Sequence, residues 1–139
     1  MAKPFTVKFI SDKKGRGLVA TEHIDEGSIV EVGHMLVLSE EDYIKIQDTL
    51  LYSYIFEWEL DEAGKPLTFA LALSDIEFIN HSSNPNVEYT FDYLDKAIIF
   101  KAIRDIEPDE EILFNYRCHG RDDWPLWFEI EDDTEERCN

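Results

Sequence analysis

Apolar and polar positions alternate with a period of two along most of the chain, the pattern of strands that bury one face. The spacing predicts a first strand from Phe5 to Ile10, a tight turn at Lys13-Lys14-Gly15-Arg16-Gly17 and a second strand from Leu18 to Thr21. Asp25-Glu26-Gly27 reads as a turn, and Ser28 to Leu38 as a longer strand with an interruption at Gly33. Ser39-Glu40-Glu41-Asp42 has the makings of a helix start, a hydroxyl followed by acids that face the positive end of the dipole. Tyr43, Ile44, Ile46, Leu50 and Leu51 continue it at helical spacing. The period then returns to two: Tyr52, Tyr54, Phe56, Trp58 and Leu60 alternate, Asp61 to Lys65 turns the chain, and Pro66 to Leu73 comes back as a partner strand.

Asn80 to Asn86 is polar and lacks that alternation. Val87, Tyr89, Phe91 and Tyr93 resume it, and Asp95-Lys96 turns into Ala97 to Ile103, a second hairpin. Glu107-Pro108-Asp109 leads into a last strand, Glu110 to Tyr116. The stretch from Gly120 is first aromatic (Trp124, Trp127, Phe128) and then acidic from Glu129 to Glu136. With no repeat and no linker, the expectation is one domain over residues 1–139, its acidic tail covering about 129–139.

Composition narrows this picture. The 139 residues suffice for one domain with a real core, and 44% hydrophobic residues describe a globular chain, not a disordered one. No apolar run approaches the roughly eighteen residues of a membrane span, and Met1-Ala2-Lys3-Pro4-Phe5 has no signal-peptide character. The expectation is a soluble intracellular protein with no membrane partner. Thirty-one acids against 13 bases give a net charge of -18, a field that repels phosphate backbones and draws in Lys- or Arg-rich polypeptides. Solubility alone would explain the same acidity. Cys118 and Cys138 form neither a disulfide framework nor a zinc-ligand pattern, so they read as free thiols and no metal is expected.

Three separated segments carry the chemistry. The first is Gly15-Arg16-Gly17-Leu18-Val19-Ala20, followed by the turn Ile24-Asp25-Glu26-Gly27-Ser28-Ile29-Val30. The second is Phe78-Ile79-Asn80-His81-Ser82-Ser83-Asn84-Pro85-Asn86. The third is Ala102-Ile103-Arg104-Asp105-Ile106, then Glu110-Glu111-Ile112-Leu113-Phe114-Asn115-Tyr116. Gly-x-Gly alone is weak, and no helix pattern opens after it as a Rossmann site would need. Together, in this order, the segments resemble the SET-domain protein-lysine methyltransferases, most of all their minimal stand-alone viral and bacterial members; the likeness covers roughly residues 5 to 128. It implies a mainly β, β-clip type fold of small curved sheets with a C-terminal pseudoknot and one short helical insert. It also implies S-adenosylmethionine as cofactor, S-adenosylhomocysteine as product, and a lysine of a basic protein, such as a histone tail, as acceptor. The cysteine clusters that flank the domain in many relatives are missing here.

The resemblance also assigns roles, each with an ordinary alternative. Tyr116 would stand by the sulfonium methyl and the lysine nitrogen, orienting the amine; without the motif it is a strand-end tyrosine. Asn80 and His81 would bind the cofactor, His81 through backbone groups to the adenine and Asn80 through its amide to the amino-acid end, although the run is also rich in turn formers. Gly15, Arg16 and Gly17 would line the methionine portion, and Arg16 could equally be an exposed turn arginine. Trp124 is chosen over Trp127 as the platform for the adenine ring, with core closure as the alternative. Tyr54, Tyr89 and Phe114 would line the lysine channel, where aromatic walls desolvate the amine and hold its stem; Tyr54 could as well be core. Phe114 stands where relatives limit the number of methyl groups added. Two alternatives remain at this level: a silent SET-like module that only binds a basic peptide, and a homodimer paired through the aromatic segment from Tyr52 to Leu73. Direct nucleic-acid binding is opposed by charge.

Overall fold

The computed structural model describes residues 3–116. Those residues gather into two compact units, one formed by the chain up to Glu31, Phe78–Tyr89 and the stretch from Phe100 on, the other by Val32–Glu77 and Thr90–Ile99. Cys118, Trp124, Trp127 and Cys138 lie outside the described residues.

The first unit is built on a four-stranded sheet in the order β1 (Phe5–Ser11), β2 (Gly15–Ala20), β9 (Glu111–Phe114) and β6 (Asn80–His81). β1 (Phe5–Ser11) and β2 (Gly15–Ala20) form the expected hairpin, with Phe5 opposite Ala20, Lys8 opposite Gly17 and an irregularity between Phe9 and Ser11. The second strand starts earlier than the alternation suggested, because Gly15 takes a φ of +71° that lets the turn close directly into the ladder. β9 (Glu111–Phe114) lies beside β2 in antiparallel register, Val19 opposite Glu111, and beside β6 (Asn80–His81) in parallel register, Asn80 opposite Leu113. The polar stretch after Ile79, which lacks a period, therefore contains a two-residue strand that only its partner reveals. Leu18, Val87, Phe100, Ile106 and Ile112 form the buried core of this unit.

A second sheet runs in the order β4 (Ile55–Glu57), β5 (Phe69–Leu73), β3 (Ile29–Val37), β8 (Ala97–Ala102) and β7 (Val87–Asp92). β3 (Ile29–Val37) runs unbroken through Gly33, where a Cβ would meet the Ser74 side chain at 3.1 Å. Its partner β5 (Phe69–Leu73) places Leu36 opposite Leu71 and His34 opposite Leu73. β7 (Val87–Asp92) and β8 (Ala97–Ala102) bracket the turn at which Lys96 adopts a φ of +50° and the Asp92 carboxylate accepts the N–H groups of Leu94 and Asp95. Trp58, Ala70, Ala72, Ile76 and Ile98 fill the core of the second unit. Trp58 packs against Phe91 and Tyr93 at 4.7 Å each, and its carbonyl accepts the Tyr93 hydroxyl.

The helical insert begins as expected. Ser39 Oγ accepts the Asp42 N–H at 3.0 Å and starts α1 (Glu40–Ile46), in which Glu41 and Lys45 pair one turn apart. It ends before Leu50, since Thr49 Oγ1 donates to the Ile46 carbonyl at 2.7 Å and turns the chain into a 3₁₀ segment, Leu50–Tyr54. Tyr52 and Tyr54 thus stand outside the strand their alternation suggested, and only β4 (Ile55–Glu57) pairs with β5. Tyr43 stacks on Phe69 with ring centres 4.0 Å apart, a contact that fits the aromatics to a helix-to-strand transition. No described helix is long and apolar enough to cross a membrane.

Candidate functional site

All three motif segments meet in the first unit, around β9. Gly17 is buried against the second motif, where a Cβ would stand 2.6 Å from Asn80 Nδ2, 2.7 Å from Glu111 Oε2 and 2.7 Å from Ile10 Cγ1. A Cβ here would push these side chains aside, so glycine permits their close approach to the strand. Gly15 is required by its φ instead, since a Cβ on it would meet open space.

Asn80 reaches across this gap. Its Nδ2 donates to the Arg16 carbonyl at 3.1 Å and to Glu111 Oε2 at 2.8 Å, while Glu111 Oε1 holds Lys14 Nζ at 3.0 Å. Arg16 itself is exposed, with its guanidinium 4.3 Å over the Phe78 ring. A backbone carbonyl of β2 and side chains of β6, β9 and the turn before β2 are therefore tied into one network by residues that are far apart in sequence.

Tyr116 is held twice by the Asn-His-Ser segment. The buried His81 ring accepts the Tyr116 backbone N–H at Nδ1, 3.1 Å away, which assigns its proton to Nε2. The Tyr116 hydroxyl donates to the Ile79 carbonyl at 3.0 Å. The His81 imidazole, expected to matter through its backbone, thus also positions Tyr116 with its ring. Phe114 lies 4.6 Å from Tyr116 and 5.7 Å from both Tyr89 and Phe100, forming a cluster of four aromatic rings. Of the three channel candidates, Tyr89 and Phe114 share that cluster, whereas Tyr54 belongs to the second unit. Trp124 lies outside the described residues.

Several residues had no role in the sequence reading. Asn86 is fully buried; its Nδ2 donates to the Glu111 carbonyl at 2.8 Å and to Glu110 Oε2, and its Oδ1 accepts the Leu113 N–H at 2.8 Å. A buried amide satisfied on both sides is a rivet for β9, and its place at the end of the second motif was the available signal. Arg104 Nη1 pairs with the same Glu110 Oε2 at 2.8 Å. Glu111 and Lys14 are the other two; in sequence Glu111 counts only as part of the last strand and Lys14 as part of the turn before Gly15.

Outside this assembly, two titratable groups stand out. Glu77 has its carboxyl pushed up to about 8, chiefly by burial, with one backbone hydrogen bond from Ala72 opposing. Its Oε2 has no hydrogen-bond partner among the described residues. His23 is exposed between Glu107, 2.9 Å from Nδ1, and Asp25, 2.9 Å from Nε2, and those bonds raise its affinity for a proton. His23, Asp25 and Asp105 also bring ligand atoms within 4.8 Å of one another, all on exposed side chains.

The SET-domain family profile matches residues 15–117. The chain is 32% identical, over 122 residues, to the histone-lysine N-methyltransferase of Schizosaccharomyces pombe specific for H3 lysine-37, covering 87% of this chain and 75% of that protein. Among solved structures it resembles a Plasmodium falciparum protein proposed to be a histone methyltransferase, with a TM-score of 0.60, 23% identity and coverage of 84% and 95% of the two chains. It also resembles a chain of the Chaetomium thermophilum Polycomb Repressive Complex 2 bound to S-adenosylmethionine, with a TM-score of 0.67 and 25% identity over 86% of this chain and 16% of that one.

Proposed function

This chain belongs to the SET-domain family, and from that premise we propose that its first unit carries a methyl-transfer site in which Asn80, Gly17 and Tyr116 do the work. The protein is a lysine methyltransferase that uses S-adenosylmethionine. The observation that carries the site assignment is the convergence on β9: Gly17 and Asn80 on one side, and Tyr116 fastened to Ile79 and His81 on the other.

The residues present fit such a cofactor. Both hydrogens of Asn80 Nδ2 are bound, to the Arg16 carbonyl and to Glu111 Oε2, so the oxygen of this half-buried amide is left as an acceptor for the ammonium of an amino-acid chain. When bound, the cofactor supplies an activated methyl group on a sulfonium, transferred in line to an uncharged amine. Gly15, Arg16 and Gly17 line the methionine portion, Asn80 and His81 bind the cofactor, and Trp124 is the proposed adenine platform. Tyr89 and Phe114 present aromatic faces that hold a lysine stem and disfavour its charged form, so the amine arrives having lost its proton to solvent. Tyr116 Oη, fixed by its bond to the Ile79 carbonyl, orients the amine lone pair.

The net charge of -18 supports a basic protein or peptide as acceptor and disfavours direct binding of nucleic acid. Action inside the cell, in the cytoplasm or on histones in the nucleus, follows from that choice of acceptor. Two copies that pair through the Tyr52–Leu73 segment would do so against the repulsion of like charges.

The test is methyl transfer from labelled S-adenosylmethionine to histones and to a cell lysate, with mass spectrometry of the labelled residue. Label on lysine supports the reading. Tight binding of a basic peptide without transfer would instead favour a silent module.

A further inference from the structure

The family likeness leaves Glu111 without a task, yet its carboxylate sits at the centre of the Asn80 network. Asn80 Nδ2 has two hydrogens, and both are engaged, by the Arg16 carbonyl at 3.1 Å and by Glu111 Oε2 at 2.8 Å. Both partners are acceptors only, so the amide cannot be turned over: nitrogen faces the strands and the carbonyl oxygen faces away. Among the described residues no donor reaches that oxygen. Gly17 leaves no slack, because nothing larger than hydrogen separates it from Nδ2 and Oε2. Lys14, 3.0 Å from Glu111 Oε1, offsets the carboxylate charge where the two side chains are only 21% and 15% exposed.

We infer that Glu111, backed by Lys14, is a positioning residue that fixes the Asn80 amide so that its carbonyl oxygen accepts from the α-ammonium of the cofactor's amino-acid end. The inference rests on the reading that this end lies at Gly17 and Asn80. Glu111 does not touch the cofactor; it selects which end of the Asn80 amide is offered to it. A ligand lacking that ammonium should be indifferent to Glu111, which a purely structural role would not produce.

The experiment is calorimetric binding of S-adenosylhomocysteine and of its analogue lacking the α-amino group, to the full chain and to Glu111→Ala. The wild-type protein should prefer S-adenosylhomocysteine. The variant should bind it about tenfold more weakly, the size expected for a hydrogen bond to a charged group, while binding of the analogue stays within about twofold. Glu111→Gln keeps an acceptor for Asn80 Nδ2 and should return S-adenosylhomocysteine binding to within about threefold of wild type. If the alanine variant does not fold, Glu111→Met fills similar volume without an oxygen acceptor and carries the same comparison. Equal weakening of both ligands, or of neither, overturns the role of Glu111. A folded wild-type protein that binds neither ligand overturns the cofactor reading as well.

Discussion

The Nδ1 atom of His81 accepts the backbone N–H of Tyr116 at 3.1 Å, so a residue of the second motif sets the backbone from which the tyrosine of the third projects. The hydroxyl of the same tyrosine returns to the second motif at the Ile79 carbonyl. Removing the hydroxyl should therefore disturb orientation of the amine, and the cofactor cradle hardly at all. Tyr116→Phe is expected to lower kcat by about a hundredfold or more, within the range of a positioned polar group in catalysis. Affinity for S-adenosylhomocysteine should remain within about twofold. Steady-state kinetics with calorimetry checks both; unchanged kcat removes the assigned role.

Gly17→Ala tests the cradle. Its Cβ would press on Asn80 Nδ2, Glu111 Oε2 and Ile10 Cγ1, all closer than 2.8 Å. Overpacking of this kind costs about 1–3 kcal/mol, so the melting temperature should fall and KM for S-adenosylmethionine should rise. Gly15→Ala should behave differently, costing stability through its φ of +71° without crowding Asn80.

Phe114 touches Tyr116 and Tyr89, so added bulk there should reduce the room beside the acceptor nitrogen. Phe114→Tyr is expected to shift products toward the monomethylated state, and mass spectrometry of a reacted peptide reads it. An unaltered product distribution would place Phe114 away from the acceptor.

Glu77 gives a pH signature. Its carboxyl titrates near 8 in the folded protein against an ordinary 4.5, so its proton is held more tightly when folded. The sign follows from linkage: the unfolded state releases that proton first, and stability falls as pH rises from about 4.5 towards 8. Glu77→Gln removes the penalty. Its advantage over the wild type should grow by on the order of 3 kcal/mol between pH 5 and pH 8, read by chemical denaturation at the two values.

His23 acts in the same direction from the surface. The hydrogen bonds to Glu107 and then Asp25 favour its protonated form when folded, so its contribution is present below about 6.5 and is lost as pH rises through the raised value. Melting temperatures from pH 5.5 to 8.5 should fall less steeply in His23→Gln than in wild type. Equal slopes would show that the two carboxylates do not favour the charged imidazole.

The first hairpin, the hairpin of β7 and β8, the helix start at Ser39 and the motif segments that converge on β9 were legible because each depends on local signals: alternation, capping hydroxyls and specific motif residues. Asn80–His81 was not legible as a strand, since two residues show no period and their ladder lies 33 positions away at Leu113 and Phe114. The run from Tyr52 to Leu60 misled for the opposite reason. Its alternation is real, but Thr49 caps the preceding helix and stacking at Tyr43 suits a turn, so tertiary contacts override the pattern. Glu111 and Lys14 were invisible as a pair because 97 residues separate them.

The placement of β9 between β2 and β6 has a consequence for synthesis. A ribosome must deliver the stretch around residues 111–116 before Gly17, Asn80 and Tyr116 can meet. Until then the first hairpin and the Asn-His-Ser stretch exist without a common neighbour. In a nascent chain β2 and β6 therefore lack their shared partner until nearly all of the described sequence has emerged, because the strand that joins them is the last described one.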